Sequence, residues 1–156
     1  PRLTAAPESR MSSEPQSMIL AILNAVGSGL PHLLLQFLLT LALLLAGMAI
    51  YTLVTPFHER ALLAKGNVAA GTVLAGAILA LAIPLAALLA TTFALLDILI
   101  WGIVALLIQL VTLLVVSRVM RGLAGMIEAG NVSAAITLVG VQIAIALLNA
   151  AAMVPN

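Results

Sequence analysis

Four long stretches of the chain are almost free of charged side chains, and this feature limits the possible folds more than any other. They run from His32 to Thr55, from Asn67 to Leu89, from Thr92 to Ser117 and from Asn131 to Met153. Each is longer than the roughly 20 residues that an α-helix needs to cross about 30 Å of hydrocarbon. The pattern therefore predicts an all-α membrane protein with four transmembrane helices.

The composition excludes most soluble classes. Of the 156 residues, 64% are hydrophobic and 7% are charged. A soluble domain of this size leaves much of its surface in water and could not cover so many apolar side chains, whereas a bilayer accepts them. The formal net charge is only +1, which gives no indication of a nucleic-acid partner. Because the chain has no cysteine, disulfides, thiol nucleophiles and thiolate metal sites are excluded, and no cofactor is predicted.

A short motif occurs twice, at residues 66–70 and at residues 130–134. The first copy reads Gly-Asn-Val-Ala-Ala and the second reads Gly-Asn-Val-Ser-Ala, and each copy follows one apolar stretch and opens the next. Glycine favours the end of a helix, and asparagine caps the start of another. We therefore predict two helical hairpin repeats in tandem, residues 31–90 and 91–156. Because each repeat contains two spans, the two hairpins have the same orientation in the membrane.

The first 30 residues differ from the rest of the chain. Residues 1–16 are polar and include three prolines, so we expect a tail with little order of its own. Residues 17–26 form an apolar run that is too short to span a bilayer, and with the loop that follows they make up the segment 17–30. We predict a short interfacial or amphipathic helix there, ended by Gly27, Gly29 and Pro31. A cleaved signal peptide is the alternative, although the expected cleavage pattern fits poorly.

Basic residues near the spans predict the orientation of the chain. The connection after the first span contains Arg60 and Lys65, and the connection after the third contains Arg118 and Arg121. The short segment around Thr91, between the second and third spans, contains none. Because loops rich in Lys and Arg face the cytoplasm, we expect both termini to lie on the outer side.

Several residues in the last two thirds of the chain match the pattern of a known family. They are Tyr51, Thr55-Pro56, Glu59, Gly66-Asn67, Ala69-Ala70, Ile83-Pro84, Asp97, Trp101, Gln109-Leu110, Asn131, Ala134, Asn149-Ala150-Ala151 and Met153. In their order and spacing the chain resembles the YjfL-like small inner-membrane proteins of bacteria, a family without assigned function. The resemblance implies a four-span protein of the bacterial inner membrane. It implies no reaction, ligand or catalytic residue.

Asp97 is an acidic residue inside a predicted span. A charged side chain near the centre of a bilayer costs about 2.5–3.5 kcal/mol, so such a residue invites a functional interpretation. However, Asp97 lies only five residues after Thr92, where water and headgroups can reach it. Trp101, one turn later, is typical of an interfacial aromatic belt. One interpretation is a hydrogen-bonded Asp97 at the outer rim of the bundle, and the other is an ion or proton site.

Three amide side chains lie along one line of the fourth span. At about 100° per residue, Asn131, Gln142 and Asn149 fall within roughly 20° of each other. Lipid cannot bind these amides, so we expect them to face another helix, another subunit or water. Interhelical hydrogen bonding is the preferred explanation. Gln109 in the third span and Asn67 at the start of the second are further candidates for a functional or packing role.

Pro84 and pairs of small residues give further information about packing. Pro84 has no N–H, so it frees a backbone carbonyl of the second span and should kink the helix. We expect neighbouring helices to cover that carbonyl, because lipid has no donor to offer. Small residues four positions apart, such as Gly140 and Ala144, permit close contact between helices.

These observations leave three functional hypotheses. The preferred one is a non-enzymatic membrane subunit that forms a homo-oligomer or assembles with another membrane protein, because the sequence offers no recognisable catalytic set. The second is a small channel or transporter in which the fourth-span amides and Asp97 line a path between protomers. The third is a membrane enzyme acting on lipid, for which His32, Glu59 and Asp97 could supply acid or base chemistry.

Overall fold

The computed structural model describes residues 13–55, 59–120 and 122–154, and within these ranges it contains six α-helices and no strand. The helices are α1 (Ser13–Val54), α2 (Glu59–Ala64), α3 (Val68–Thr91), α4 (Leu95–Val119), α5 (Leu123–Glu128) and α6 (Val132–Ala152). Four of them, α1, α3, α4 and α6, are long enough and apolar enough to cross a membrane. The predicted all-α class and the four spans are confirmed, and the chain is a multi-pass membrane protein.

Both copies of the repeated motif form the helix boundary that the sequence predicts. Gly66 and Gly130 have φ angles of 75° and 83°, in the left-handed region that glycine adopts at little cost. The following asparagine, Asn67 or Asn131, accepts a hydrogen bond from the backbone N–H three residues later, at 3.0 and 3.1 Å. These caps fix the starts of α3 and α6. The relation of the two hairpins as whole repeats stays a prediction.

The chain divides into two compact units, Pro1–Leu35 and Gln36–Asn156. The described part of the first unit is the beginning of α1, which runs through Gly27 and Pro31 without interruption. The helix end predicted at these residues is therefore wrong. In lipid an interrupted helix would leave backbone groups without partners, so glycine and proline break helices there less readily than in water.

The interfacial position of residues 17–30 stays a prediction. Within this segment the Ser28 hydroxyl donates to the carbonyl oxygen of Asn24 at 2.8 Å, so its polar group is bound within the helix. The predicted polar tail lies outside the described residues up to position 12, and its last residues are already part of α1.

The core of the second unit is built around α3. This helix packs most extensively against α6 and also contacts α4. Many of its buried residues are small, among them Ala69, Ala70 and Ala77. Gly76 faces Val139 of α6 so closely that a Cβ atom added at the glycine would collide with the valine side chain. Small residues thus let these two helices approach each other, as they do in other membrane bundles.

The later part of α1, which belongs to the second unit, packs against α4 through two glycines. Leu43 of α1 lies against Gly102, and Leu106 lies against Gly47 of α1. The two short helices cover the neighbouring spans, since α2 contacts α3 and α5 contacts α6. The result is a bundle whose core consists mainly of leucine and alanine side chains.

Candidate functional site

Pro84 leaves one backbone carbonyl of α3 without its helical partner, and Gln109 of α4 supplies the missing donor. In an α-helix each N–H donates to the carbonyl four residues earlier, and proline has no N–H. The carbonyl of Ala80 therefore lacks its usual partner. The Nε2 atom of Gln109 donates to this oxygen at 2.7 Å, and the Gln109 side chain is only 5% exposed. The bond joins α4 to α3 near the middle of both helices.

Two further buried amides bind backbone carbonyls of other segments. The Nδ2 atom of Asn149 on α6 donates to the carbonyl of Ala105 on α4 at 3.2 Å. The Nε2 atom of Gln36 on α1 donates to the carbonyl of Phe93, just before α4, at 2.7 Å. A carbonyl oxygen has two lone pairs, so the one in Ala105 can accept this bond in addition to a helical one. These amides connect α4 and its preceding turn to the spans on either side.

The side-chain oxygens of Gln109 and Gln142 are buried, and both residues line one small cavity. The two residues and Tyr51 line a space of about 10 Å³ between α1, α3, α4 and α6. Within the part of the chain that the structure describes, neither oxygen has a hydrogen-bond partner. Buried acceptors are nearly always paired, and a polar cavity of this size is close to the minimum that holds one water. The pair therefore offers two acceptors to one small hydrogen-bond donor.

Asn67 and Asn131 act at the helix starts. Besides capping α3, Asn67 donates through Nδ2 to the carbonyls of Ile127 and Glu128, at 3.0 and 3.1 Å. It thereby joins the start of α3 to the end of α5. Asn131 caps α6 and is exposed, so the three amides predicted to form a line have different surroundings. Gln142 is buried in the same helix, 4% exposed.

A cleft of about 440 Å³ brings together three of the residues singled out in the sequence, namely Asp97, Trp101 and Asn149. It lies where α3 ends, α4 begins and α6 ends. The Thr92 hydroxyl donates to the Oδ2 atom of Asp97 at 3.3 Å, and the Ala94 amide donates to the Thr92 oxygen at 3.2 Å. These bonds hold the exposed carboxylate at the mouth of the cleft.

The cleft combines a few polar groups with apolar walls. Thr91, Thr92 and Asp97 contribute polar groups from the end of α3 and the start of α4, and Asn149 contributes one from α6. The apolar walls include side chains from three helices, Leu88, Val104, Ile108 and Met153. Small-molecule sites in proteins commonly have a volume of about 300–1,000 Å³ and combine apolar walls with a few polar groups. The cleft has both properties.

A second cavity, of about 360 Å³, lies near the other end of α4. Ser117 and Arg118 line it on α4, and Leu138 lines it on α6. Along both α4 and α6, the residues that line the small cavity at Gln109 and Gln142 lie between those that line the two larger cavities. Polar groups thus occur at three levels of the α4–α6 pair, one at each end and one in between.

The three residues considered for lipid chemistry belong to different elements of the chain, α1, α2 and α4. Asp97 lies in the cleft, His32 belongs to the first unit, and the side chain of Glu59 lies outside the described residues. Among the described residues, no group of three His, Cys, Asp or Glu side chains lies close enough together to hold a metal ion.

Sequence reasoning did not identify Tyr51 as part of a polar site, although this residue is only 2% exposed and lines the cavity of the two glutamines. It also did not pair Gln109 with the carbonyl freed by Pro84. The sequence did contain a signal for the pairing of Gln109 with this carbonyl, because a buried amide on a neighbouring span is the natural donor for a carbonyl that proline leaves free.

The comparisons with known proteins place the chain in a family. The family model described as a Domain of Unknown Function (DUF350) matches residues 25–153. The chain belongs to the DUF350 family. This agrees with the YjfL-like resemblance of its sequence, and the match covers all of α3 to α6. No curated protein and no solved structure matches the chain.

Proposed function

We propose that this DUF350 protein is a non-enzymatic membrane subunit of the bacterial inner membrane that assembles with itself. The proposal rests on a difference in the space around the glycines of the membrane-spanning helices. A Cβ atom added at Gly47, Gly76 or Gly102 would lie less than 3.0 Å from a neighbouring side chain, whereas nothing lies within 4 Å of one added at Gly140. Three glycines already serve contacts within the chain, and Gly140 is left open for a contact with another molecule.

Gly140 belongs to a stripe of small residues on the outward face of α6. The stripe consists of exposed residues that lie within about 60° of each other at 3.6 residues per turn. These residues are Ser133, Thr137, Gly140, Ala144 and Ala151. Small residues of this kind let two helices approach closely in a bilayer, where packing rather than the hydrophobic effect drives association. The stripe therefore suits contact with a second copy or with another membrane protein.

The polar side chains also favour a structural role. Gln36, Gln109 and Asn149 use their amide donors on backbone carbonyls of neighbouring segments. Such bonds hold helices together and are not positioned for acid or base catalysis. We further propose that the basic connections face the cytoplasm and that both termini lie outside.

Bulky substitutions on the stripe test the assembly. Ala144→Leu should shift the purified protein in nanodiscs or mild detergent towards the monomer, measured by mass photometry. Gly140→Leu should have the same effect, because both side chains prevent close approach of the helices. Ala75→Leu, at an exposed alanine on α3, is the matched control and should leave the oligomer unchanged. A wild-type protein that is entirely monomeric would count against self-assembly.

A small channel or transporter is the second candidate. The observation that favours it is the succession of cavities along α4 and α6, with Arg118 near one end, the glutamine pair in between and Asp97 at the other end. The middle cavity is the smallest of the three, so the glutamines would act as the gate. Ion flux through liposomes that contain the purified protein tests this candidate.

A further inference from the structure

The cleft at Asp97 has a shape and a charge distribution that suit one class of ligand. Its lining contains the Asp97 carboxylate, two threonine hydroxyls and the Asn149 amide, and the remaining walls are mainly apolar side chains of α3, α4 and α6. A ligand that fills about 440 Å³ there must be polar at one end and apolar along most of its length. The geometry alone therefore favours an amphiphile.

The charges around the cleft favour a cation. Among the described residues, Asp97 is the one charged side chain that lines it. Two helices, α3 and α6, also end there, and Thr91, Ala152 and Met153 at these ends belong to the cleft wall. The C-terminus of a helix carries a partial negative charge. The opposite partial charge at the start of α4 is already complemented by Asp97 in its first turn.

Trp101 adds a second group that binds cations. It lies one turn after Asp97 on α4, lines the same cleft, and its side chain is 53% exposed. The face of an indole ring attracts ammonium groups, an interaction of about 0.5–1 kcal/mol at exposed sites. A carboxylate and an indole at the mouth of one apolar cleft can therefore contact the same ammonium group.

We propose that this cleft binds an ammonium-bearing amphiphile, with the ammonium group between Asp97 and Trp101 and the alkyl chain along Leu88, Val104 and Ile108. The ligand is either a free alkylammonium or a membrane lipid with an ethanolamine headgroup, since both present the same chemistry. The site does not depend on self-assembly, because all of these residues belong to one chain.

Trp101 is the only tryptophan of the chain, so its fluorescence reports on the cleft directly. The purified full-length protein in a non-ionic detergent is titrated with brominated dodecylammonium and, separately, with brominated dodecanol of the same chain length. Bromine quenches tryptophan on contact. We expect saturable quenching by the ammonium at a concentration at least about fivefold lower than by the alcohol.

Two variants of Asp97 separate specific binding from partition into the micelle. Asp97→Asn keeps the size of the side chain and should reduce the preference for ammonium over alcohol about fivefold, whereas Asp97→Glu should retain it. Micelle partition affects all three proteins alike. An equal preference in the wild type and in Asp97→Asn would overturn the proposal, as would equal quenching of the wild type by the two amphiphiles.

Vesicles distinguish the two sources of the ligand. The protein is placed in phosphatidylglycerol vesicles that contain either brominated phosphatidylethanolamine or brominated phosphatidylglycerol. Stronger quenching by the ethanolamine lipid in the wild type, but not in Asp97→Asn, would identify a lipid headgroup. Equal quenching by both lipids, together with a preference for dodecylammonium in detergent, would identify a free amine. If neither experiment reveals a preference for the ammonium compound, the cleft is not a cation site.

Discussion

The bond between Gln109 and the Ala80 carbonyl allows a prediction with an internal test. Replacing Gln109 with Leu removes the donor and leaves the carbonyl freed by Pro84 without a partner in the described structure. A buried acceptor that loses its partner costs about 1–3 kcal/mol, and hydrogen bonds between membrane helices average about 0.6 kcal/mol. The substitution also removes the Oε1 atom of Gln109, which is buried and has no partner in the described structure, and this reduces the net loss of stability. We therefore expect a loss of about 1 kcal/mol.

The same substitution should cost much less when Pro84 is replaced by Ala. The alanine would restore a backbone N–H that can donate to the Ala80 carbonyl within α3, and the Gln109 amide would then be redundant. The four proteins of this double-mutant cycle are unfolded reversibly in bicelles, by steric trapping or by titration with sodium dodecyl sulfate. The expected coupling free energy is about 1 kcal/mol.

Asn149→Leu is the matched control for this cycle. It removes an interhelical bond of the same type, but its acceptor, the carbonyl of Ala105, does not depend on Pro84. Its cost should be the same in both backgrounds, within the roughly 0.3–0.5 kcal/mol that independent sites show. If Gln109→Leu were equally additive with Pro84→Ala, the freed carbonyl would not be the reason for the glutamine, and this explanation would be abandoned.

Four further results are expected. A single cysteine at Ala64 should be labelled only from the cytoplasmic side, and one at Thr91 only from the outer side. The reverse labelling pattern would show that the chain has the opposite orientation. Gln142→Leu should leave the free energy of unfolding in bicelles unchanged or slightly higher, because the buried oxygen it removes has no partner in the described structure. If the α4–α6 cavities conduct ions, the same variant should lower ion flux through liposomes, and equal flux from both proteins would argue against a path through these cavities. Asn67→Ala should destabilise the protein by about 1–2 kcal/mol and by more than Asn131→Ala, since Asn67 bonds α5 as well as capping α3, and equal losses would contradict this.

The number of spans and the limits of the last three could be predicted from the sequence because they depend on local properties. Length and hydropathy define a transmembrane helix, and Gly66 followed by Asn67 gives a stop and a start that need no distant partner. The prediction failed at Gly27 and Pro31 because it applied the helix-breaking tendency that these residues have in water. In a helix surrounded by apolar groups, the cost of unpaired backbone groups outweighs that tendency.

The cleft could not be predicted because the sequence contains little information on which helix faces meet. Asp97 and Asn149 are 52 positions apart, and their helices are apolar on nearly every side. A helix that is hydrophobic all round has no periodic signal to orient it. The faces are instead selected by local fit, such as Leu43 against Gly102 and Val139 against Gly76. Packing of this kind depends on three-dimensional shape and cannot be read from hydropathy.

The two faces of α6 make the functional candidates separable by experiment. Gln142 and Asn149 are buried on one side of the helix, whereas Gly140 and Ala144 are exposed on the opposite side, about 160° from Gln142 at 3.6 residues per turn. A change on the small-residue face can therefore alter assembly without contact with the buried amides. A change at Gln142 can alter the inner cavity without blocking the outward face. If loss of the oligomer also abolished flux while Gln142→Leu left flux intact, a conducting path would have to lie between subunits, and the α4–α6 cavities would serve only packing.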